Sequence, residues 1–174
     1  ILWNHRWEHD KNPEDFFNTM ESLSKKCMKF ELAILGESFN KEPPCFSHAR
    51  KKLKKHIVQF GFAKSFEEYA KWLWRADILP VTSNQDFFGG SIMEAVYCKT
   101  IPLLPKRLSY PELLQIENNP HLFYETKSDM KEKLIVAIQN SSEIALQDYQ
   151  SIAANFDWSK MAKVYDRNFI KLHL

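Results

Sequence analysis

Glycine is scarce in this chain of 174 residues: there are four, and each follows a short apolar run. Cysteine is scarcer still. Cys27, Cys45 and Cys98 are far apart and form no pair motif, which argues against a zinc site or a disulfide framework and fits a reducing compartment. No apolar run approaches the roughly 18 residues of a membrane-spanning helix, and no signal-peptide pattern is present, so the expectation is a soluble, cytoplasmic protein without a transmembrane segment. Excess charge of either sign is also lacking. The formal net charge of +2 does not by itself call for nucleic acid or an anionic membrane. Repeats and low-complexity segments are absent, and the length is that of one domain. The chain opens on Ile1-Leu2-Trp3, already strand-like and with no cap before it. From this we expect the C-terminal part of a longer protein.

What is present alternates. Ile1 to Trp3 reads as a strand. Asn12 and Pro13 then suit the cap and first position of a helix whose apolar stripe is Phe16, Phe17, Met20, Leu23 and Cys27. Leu32 to Leu35 ends at Gly36, a helix runs from Phe46 to about Lys54, and Ile57 to Phe60 ends at Gly61. A helix near Ser65 has Glu68 as its capping partner. Ile78 to Thr82, Ile101 to Leu104 and Leu122 to Tyr124 read as further strands. Helices are expected from Pro111, from Ser128 to about Gln139, after Ser142, and from Trp158 to about Leu172. Such alternation predicts an α/β fold, a Rossmann-like parallel sheet with helices on both faces.

The stretch Asn84-Gln85-Asp86-Phe87-Phe88-Gly89-Gly90-Ser91-Ile92-Met93-Glu94 carries the densest chemistry. It lies between a strand and a helix, and Ser91 with Glu94 makes a capping-box signature. The two glycines let the backbone present N–H groups to an anion, while Asp86 and Glu94 bracket the bend with seven residues between them. Open α/β sheets bind ligands at the carboxyl ends of their strands. Arg6 and Lys11, after the first strand, should therefore meet Gly36, Gly61, Gly89, Gly90 and the two carboxylates at one edge. Cations beside glycine-lined backbone suggest a phosphorylated ligand, with the acids left to accept hydrogen bonds from hydroxyls.

Arg6 and Lys11 after the first strand, with Asp86, Phe88, Gly89 and Glu94 around the central loop, resemble the donor-binding half of retaining glycosyltransferases of the GT-B fold. More narrowly, Ile1-Leu2-Trp3-Asn4-His5-Arg6-Trp7-Glu8-His9-Asp10-Lys11-Asn12-Pro13 is similar to the tRNA-queuosine mannosyltransferases. So are Glu94-Ala95-Val96-Tyr97-Cys98, Pro102-Leu103 and Pro105-Lys106-Arg107-Leu108. The resemblance implies a hexosyl transfer, with mannose from GDP-mannose as donor and queuosine in tRNA as acceptor. It implies no bound metal and no cofactor beyond the nucleotide-sugar substrate.

Carried across, Arg6 and Lys11 grip the diphosphate, and Gly89, Gly90, Ser91 and Ile92 add backbone donors. Asp86 takes the sugar hydroxyls and Glu94 the ribose diol, while Phe62 and Lys64 sit where the family contacts the base. The final helix, after Phe156-Asp157-Trp158-Ser159, is expected to pack toward the missing N-terminal domain, and residues 1–174 alone are expected to transfer nothing. Two departures stand out. Asp86 replaces the family's usual Glu, which bears on sugar choice, and Lys99 replaces the glycine that ends the short helix, requiring a left-handed residue or another ending.

Blander readings accompany these. Arg6 and Lys11 are compatible with solvated loop charges, and His5 and His9, lacking a third ligand, with local hydrogen bonding. The run Arg50-Lys51-Lys52-Leu53-Lys54-Lys55-His56 suits a solvated helix face whose cations complement its dipole, with phosphate binding as the alternative. The five tryptophans suit core or interdomain packing. A transferase acting on a lipid or polysaccharide, and a non-catalytic nucleotide-binding module, remain alternatives to tRNA modification.

Overall fold

A computed structural model describes residues 1–38, 41–140, 143 and 148–172. Strand β1 (Leu2–Trp3) leads through a 3-10 turn to helix α1 (Pro13–Lys25). The chain continues through β2 (Leu32–Leu35), α2 (Pro44–Lys52), β3 (Ile57–Gly61), α3 (Phe66–Arg75) and β4 (Ile78–Pro80). Then come α4 (Gly90–Tyr97), β5 (Ile101–Pro105), α5 (Tyr110–Leu113), β6 (Phe123–Tyr124) and α6 (Lys127–Gln139), and finally α7 (Gln150–Ala154) and α8 (Trp158–Leu172). Of the helical stretch expected after Ser142, residues 144–147 lie outside those described, while Glu143 is helical and α7 follows at Gln150–Ala154.

The strands form two parallel three-stranded ladders, β1-β2-β3 and β4-β5-β6, and β1 packs beside β4. The order across the molecule is therefore β3-β2-β1-β4-β5-β6, a doubly wound arrangement that changes direction between β1 and β4. Alternate side chains of each strand face opposite layers. Trp3, Leu32, Ile34, Ile78 and Leu103 join α1, α2 and α6 in one core, while Leu2, Leu35, Leu79 and Leu104 join α3, α4 and α7 in the other. Aromatic rings fill the first core. Trp7 stacks on Phe46 at 4.3 Å between centroids, and Trp3 meets Phe16 at 4.9 Å; such pairs contribute about 0.5–1.5 kcal/mol each beyond their buried area. Trp74 and Trp158, by contrast, are exposed.

Several boundaries shift for local reasons. Helix α2 begins at Pro44, where a proline suits the first turn, two residues before the expected start. Cys27 is not part of the α1 stripe: the helix has ended, and Cys27 is exposed in a left-handed conformation at φ 56°. Asn12 stands at the α1 N-cap with φ 50°, but its amide donates to Asp15 Oδ2 at 2.8 Å instead of accepting from the helix. The capping pair at α3 forms, since Ser65 Oγ accepts from the Glu68 N–H at 3.2 Å and Glu68 accepts from the Lys64 N–H. The pair expected at Ser91 and Glu94 does not. Gly89, at φ 82°, is the α4 N-cap, which places Ser91 inside the helix and frees both side chains for other partners. Lys99 takes the left-handed option, at φ 67°.

The chain between β1 and α1 is folded into the seam. Trp3 Nε1 donates to the carbonyl of His5 at 3.0 Å, and the His5 ring is buried with Nδ1 3.2 Å from Ser91 Oγ. Burial first, and the nearby Lys11 ammonium second, lower the His5 pKa from 6.5 to about 4. Gly36 closes against the same segment: a Cβ there would lie 2.5 Å from the His5 carbonyl oxygen, and its φ is 103°.

Two expectations follow. Gly36→Ala combines a backbone clash with a disfavoured φ, so urea unfolding should show a loss of more than about 1 kcal/mol. Gly90→Ala, with no atom within 4 Å of the added carbon, should hold or slightly raise the midpoint; equal losses in both variants would refute the clash. His5 is neutral when folded but protonates below pH 6.5 when unfolded. Its contribution to stability is therefore full above that value and is lost as pH falls from 6.5 toward 4. His5→Gln should flatten the unfolding midpoint over that window, and an unaltered pH profile would contradict the assignment.

Candidate functional site

The change of strand direction between β1 and β4 opens a crevice at their carboxyl ends, and the loops following these two strands form its walls. Backbone bonds stitch them together. The N–H groups of Asn84 and Gln85 donate to the Asp10 carbonyl at 2.8 and 3.3 Å, and the single Thr82 hydroxyl hydrogen is shared between the carbonyls of Lys11 and Asn12, each 2.9 Å from Oγ1. Asn4 Nδ2, just past β1, donates to the Ser91 carbonyl at 2.7 Å.

Lys11 lies at the centre of this junction and is buried, with a relative exposure of 7%. Its ammonium donates to the Gln85 carbonyl at 2.8 Å and stands 3.2 Å from Asp10 Oδ2 and 3.8 Å from Asp86 Oδ2. Three acceptors thus surround a group with three N–H donors. Arg6 differs. Its side chain is about half exposed, and its contacts with Glu8 at 3.4 Å and Asp10 at 4.0 Å are long, so it can turn toward a ligand at little cost.

Each carboxylate is held by a tyrosine from another element. Tyr110 OH donates to Asp86 Oδ2 at 3.1 Å, while Asp86 Oδ1 accepts from the Gly89 N–H at 3.2 Å. Tyr69 OH donates to Glu94 Oε2 at 2.8 Å and is itself 3.3 Å from Asn4 Nδ2. Burial, with the adjacent carboxylate adding to it, raises the pKa of both phenols, so each remains a donor at neutral pH. At the start of α4 the Ile92 N–H closes on the Gly89 carbonyl at 2.9 Å, and the Gly89 N–H serves Asp86. The N–H groups of Gly90 and Ser91 have no protein acceptor among the described residues, so of the four expected backbone donors these two are left open at the start of α4.

Two concavities meet at Arg6. One is lined by Arg6, Asp10, Lys11, Lys41, Asp86 and Phe87. The other is lined by Asn4, Arg6, Gly36, Phe62, Phe66 and Tyr69, with Lys64 also on its wall. Phe62 is exposed at the second concavity, where its ring and that of Phe66 offer flat apolar faces. Phe88 turns away to meet Phe156 edge-on at 5.2 Å between centroids. The structure thus brings Arg6, Lys11, Asp86, Glu94 and the Gly89-Gly90-Ser91 bend to one rim, with Phe62 and Lys64 at its β3 side. Asn4, Phe66, Tyr69 and Tyr110 were missed by sequence reasoning. Asn4 lies within the opening motif, but nothing in the spacing of Tyr69 or Tyr110 marks either as a partner of a carboxylate. No group of three or more His, Cys, Asp or Glu side chains among the described residues is placed to hold a metal ion, and no described helix is long and apolar enough to cross a membrane.

Comparison with known proteins matches this architecture. The chain is 38% identical over 134 residues to the tRNA-queuosine alpha-mannosyltransferase of Drosophila melanogaster, an alignment covering 77% of this chain and 34% of that protein. It thus spans about a third of that curated relative's length. The fold is similar to that of the pneumococcal O-GlcNAc transferase GtfA in complex with UDP and GlcNAc, with a TM-score of 0.75 at 14% identity over 98% of this chain and 35% of that one. It is also similar to the C-terminal domain of the group 1 glycosyl transferase LpcC of Francisella tularensis, at a TM-score of 0.69 and 19% identity, covering 89% of this chain and 83% of that one. The family profile of glycosyl transferases group 1 matches residues 1–155. With that match running through the β1–β4 crevice, the chain belongs to the group 1 glycosyltransferases and has the Rossmann-like α/β fold of their GT-B relatives.

Proposed function

We propose that this chain is the nucleotide-sugar-binding half of a retaining hexosyltransferase working in the cytoplasm, with GDP-mannose as donor and queuosine in tRNA as acceptor. The observation that carries the reading is the junction of Lys11 with Asp86 at 3.8 Å, beside a half-exposed Arg6 and two unpaired N–H groups at the start of α4. A diphosphate placed there meets two cations and a helix N-terminus. As the bond from the anomeric carbon to the diphosphate oxygen breaks, its electron pair stays on the diphosphate, and the buried Lys11 with Arg6 turned in beside it stabilises that charge without a bound metal. The acceptor hydroxyl oxygen forms the new bond to the anomeric carbon from the face the diphosphate leaves, and its proton passes to the departing diphosphate oxygen. Asp86 takes the sugar hydroxyls and Glu94 the ribose diol, each carboxylate aimed by its tyrosine. Phe62 and Lys64 flank the base. The relative's mannosyl and queuosine chemistry supports the choice of sugar and acceptor.

Helix α8 supports the division of labour. It exposes Trp158, Tyr165, Phe169 and Ile170, an apolar face suited to packing on an N-terminal acceptor-side domain.

Calorimetry with GDP-mannose, UDP-glucose and GDP tests the donor; a non-catalytic module without the diphosphate site binds none of them. Arg6→Ala should weaken GDP-mannose binding by about 1–3 kcal/mol with little change in stability, because only long, exposed contacts are lost. Lys11→Ala should weaken binding similarly and also lower the unfolding midpoint, because it leaves Asp10 and Asp86 without their cation. Unchanged affinity in both variants removes the diphosphate assignment. Residues 1–174 alone should give no mannosyl transfer to queuosine-containing tRNA, and measurable turnover overturns that expectation.

A further inference from the structure

The carboxyl-terminal ends of α1 and α2 lie side by side at the edge of the strands opposite Lys11, since the segments that follow them feed the starts of β2 and β3. His56 joins them. Its ring nitrogens are 3.0 Å from the Phe30 carbonyl and 2.9 Å from Ser24 Oγ, and its ring stacks on Phe30 at 4.1 Å between centroids. Two stretches distant in sequence thereby form one surface. Residues 24–30 bring Lys25, Lys26 and Lys29, and residues 43–56 bring Arg50, Lys51, Lys52, Lys54 and Lys55. Neither stretch contains an acidic residue, and all eight cations are exposed.

None of the eight takes part in an ion pair among the described residues. Arg50 alone has a ring partner, Phe60, at 5.1 Å. The carboxylates at the margins are already engaged, Glu21 with His48 at 3.3 Å and Glu31 with Arg75 at 3.2 Å. Helix-dipole complementation accounts for one or two cations in a last turn, whereas further like charges nearby repel and cost stability. An excess of unpaired charge on one face therefore fits an anionic partner that neutralises it.

We propose that this face binds the phosphate backbone of a structured RNA, holding the acceptor from a surface remote from the transfer site; this rests on the reading that the acceptor is an RNA. Eight cations match the scale of 6–10 phosphate contacts common for such interfaces. A lipid surface fits less well, because membrane-lying faces carry large apolar side chains beside their cations, and no exposed large hydrophobic residue among those described falls within 24–30 or 43–56.

The test measures binding of an in vitro transcribed tRNA to residues 1–174 from about 50 to about 200 mM salt. Parallel arms use phosphatidylserine-containing vesicles and GDP-mannose. The triple variant Lys51→Gln/Lys52→Gln/Lys55→Gln should bind the tRNA about tenfold more weakly, and the slope of log affinity against log salt should shrink by about 2–3. The equal-charge control Lys71→Gln/Lys99→Gln/Lys106→Gln should keep the wild-type slope, and GDP-mannose affinity and unfolding midpoint should hold in both. An unchanged slope in the first variant overturns the proposal, as does an equal loss in the control or a preference for vesicles over tRNA. GDP-mannose binding without the slope change sinks this surface and leaves the donor site standing. The slope change without GDP-mannose binding does the reverse.

Discussion

A buried ammonium at the seam of two ladders is the constraint from which the site follows. Charge taken out of water is expensive unless it is paired, and Lys11 is paired only because the loops after β1 and β4 supply Asp10, Asp86 and the Gln85 carbonyl together. Move either loop and the ammonium loses partners. The backbone bonds from Asn84 and Gln85 to the Asp10 carbonyl hold the same two segments in register. The crevice is thus the shape the molecule must have to bury one cation at a point where the strand order reverses.

The two cations at this rim divide the work by their exposure. Lys11 is buried beside two carboxylates, so any anion reaching it competes with them and must arrive with more charge or better geometry than they offer. Arg6 keeps mobility and a planar guanidinium that binds phosphate oxygens in pairs. The acids are divided in the same way. Tyr110 and Gly89 fix Asp86, and Tyr69 fixes Glu94, so both carboxylates stand in place before any ligand arrives. Groups held by such outer partners lose little entropy on binding.

Much of the fold was legible because apolar runs of strand length ended at turn signals. Leu32–Leu35 and Trp158–Leu172 match their expected bounds, and the convergence of Arg6, Lys11, Asp86 and the glycine bend followed from the rule that ligands gather at strand carboxyl ends. What was not legible depended on partners distant in the chain. Ser91 and Glu94 have the spacing of a capping box, yet Gly89 starts the helix in a left-handed conformation, and each side chain meets a remote partner instead, His5 for one and Tyr69 for the other. At Ser65 no such competitor intervenes, and the same pattern caps its helix. Tyr110 was invisible for the same reason, since it lies 24 positions along the chain from Asp86.

Charge shows the same limit from another side. A net +2 over 174 residues suggests a surface without strong preference, and for the sum that is correct. The fold then sorts the charges. At the rim, Arg6 and Lys11 are interleaved with Glu8, Asp10 and Asp86, so the local field is mixed and falls off within a few ångströms. At the opposite edge the cations at and beyond the ends of α1 and α2 take part in no ion pair among the described residues, so their fields add and extend about 8–10 Å into physiological salt, as far as screening allows. Two kinds of electrostatics coexist in one small domain, a short-range one that selects and a longer-range one that attracts. They are separable because helices that start at the rim must end on the other side of the sheet.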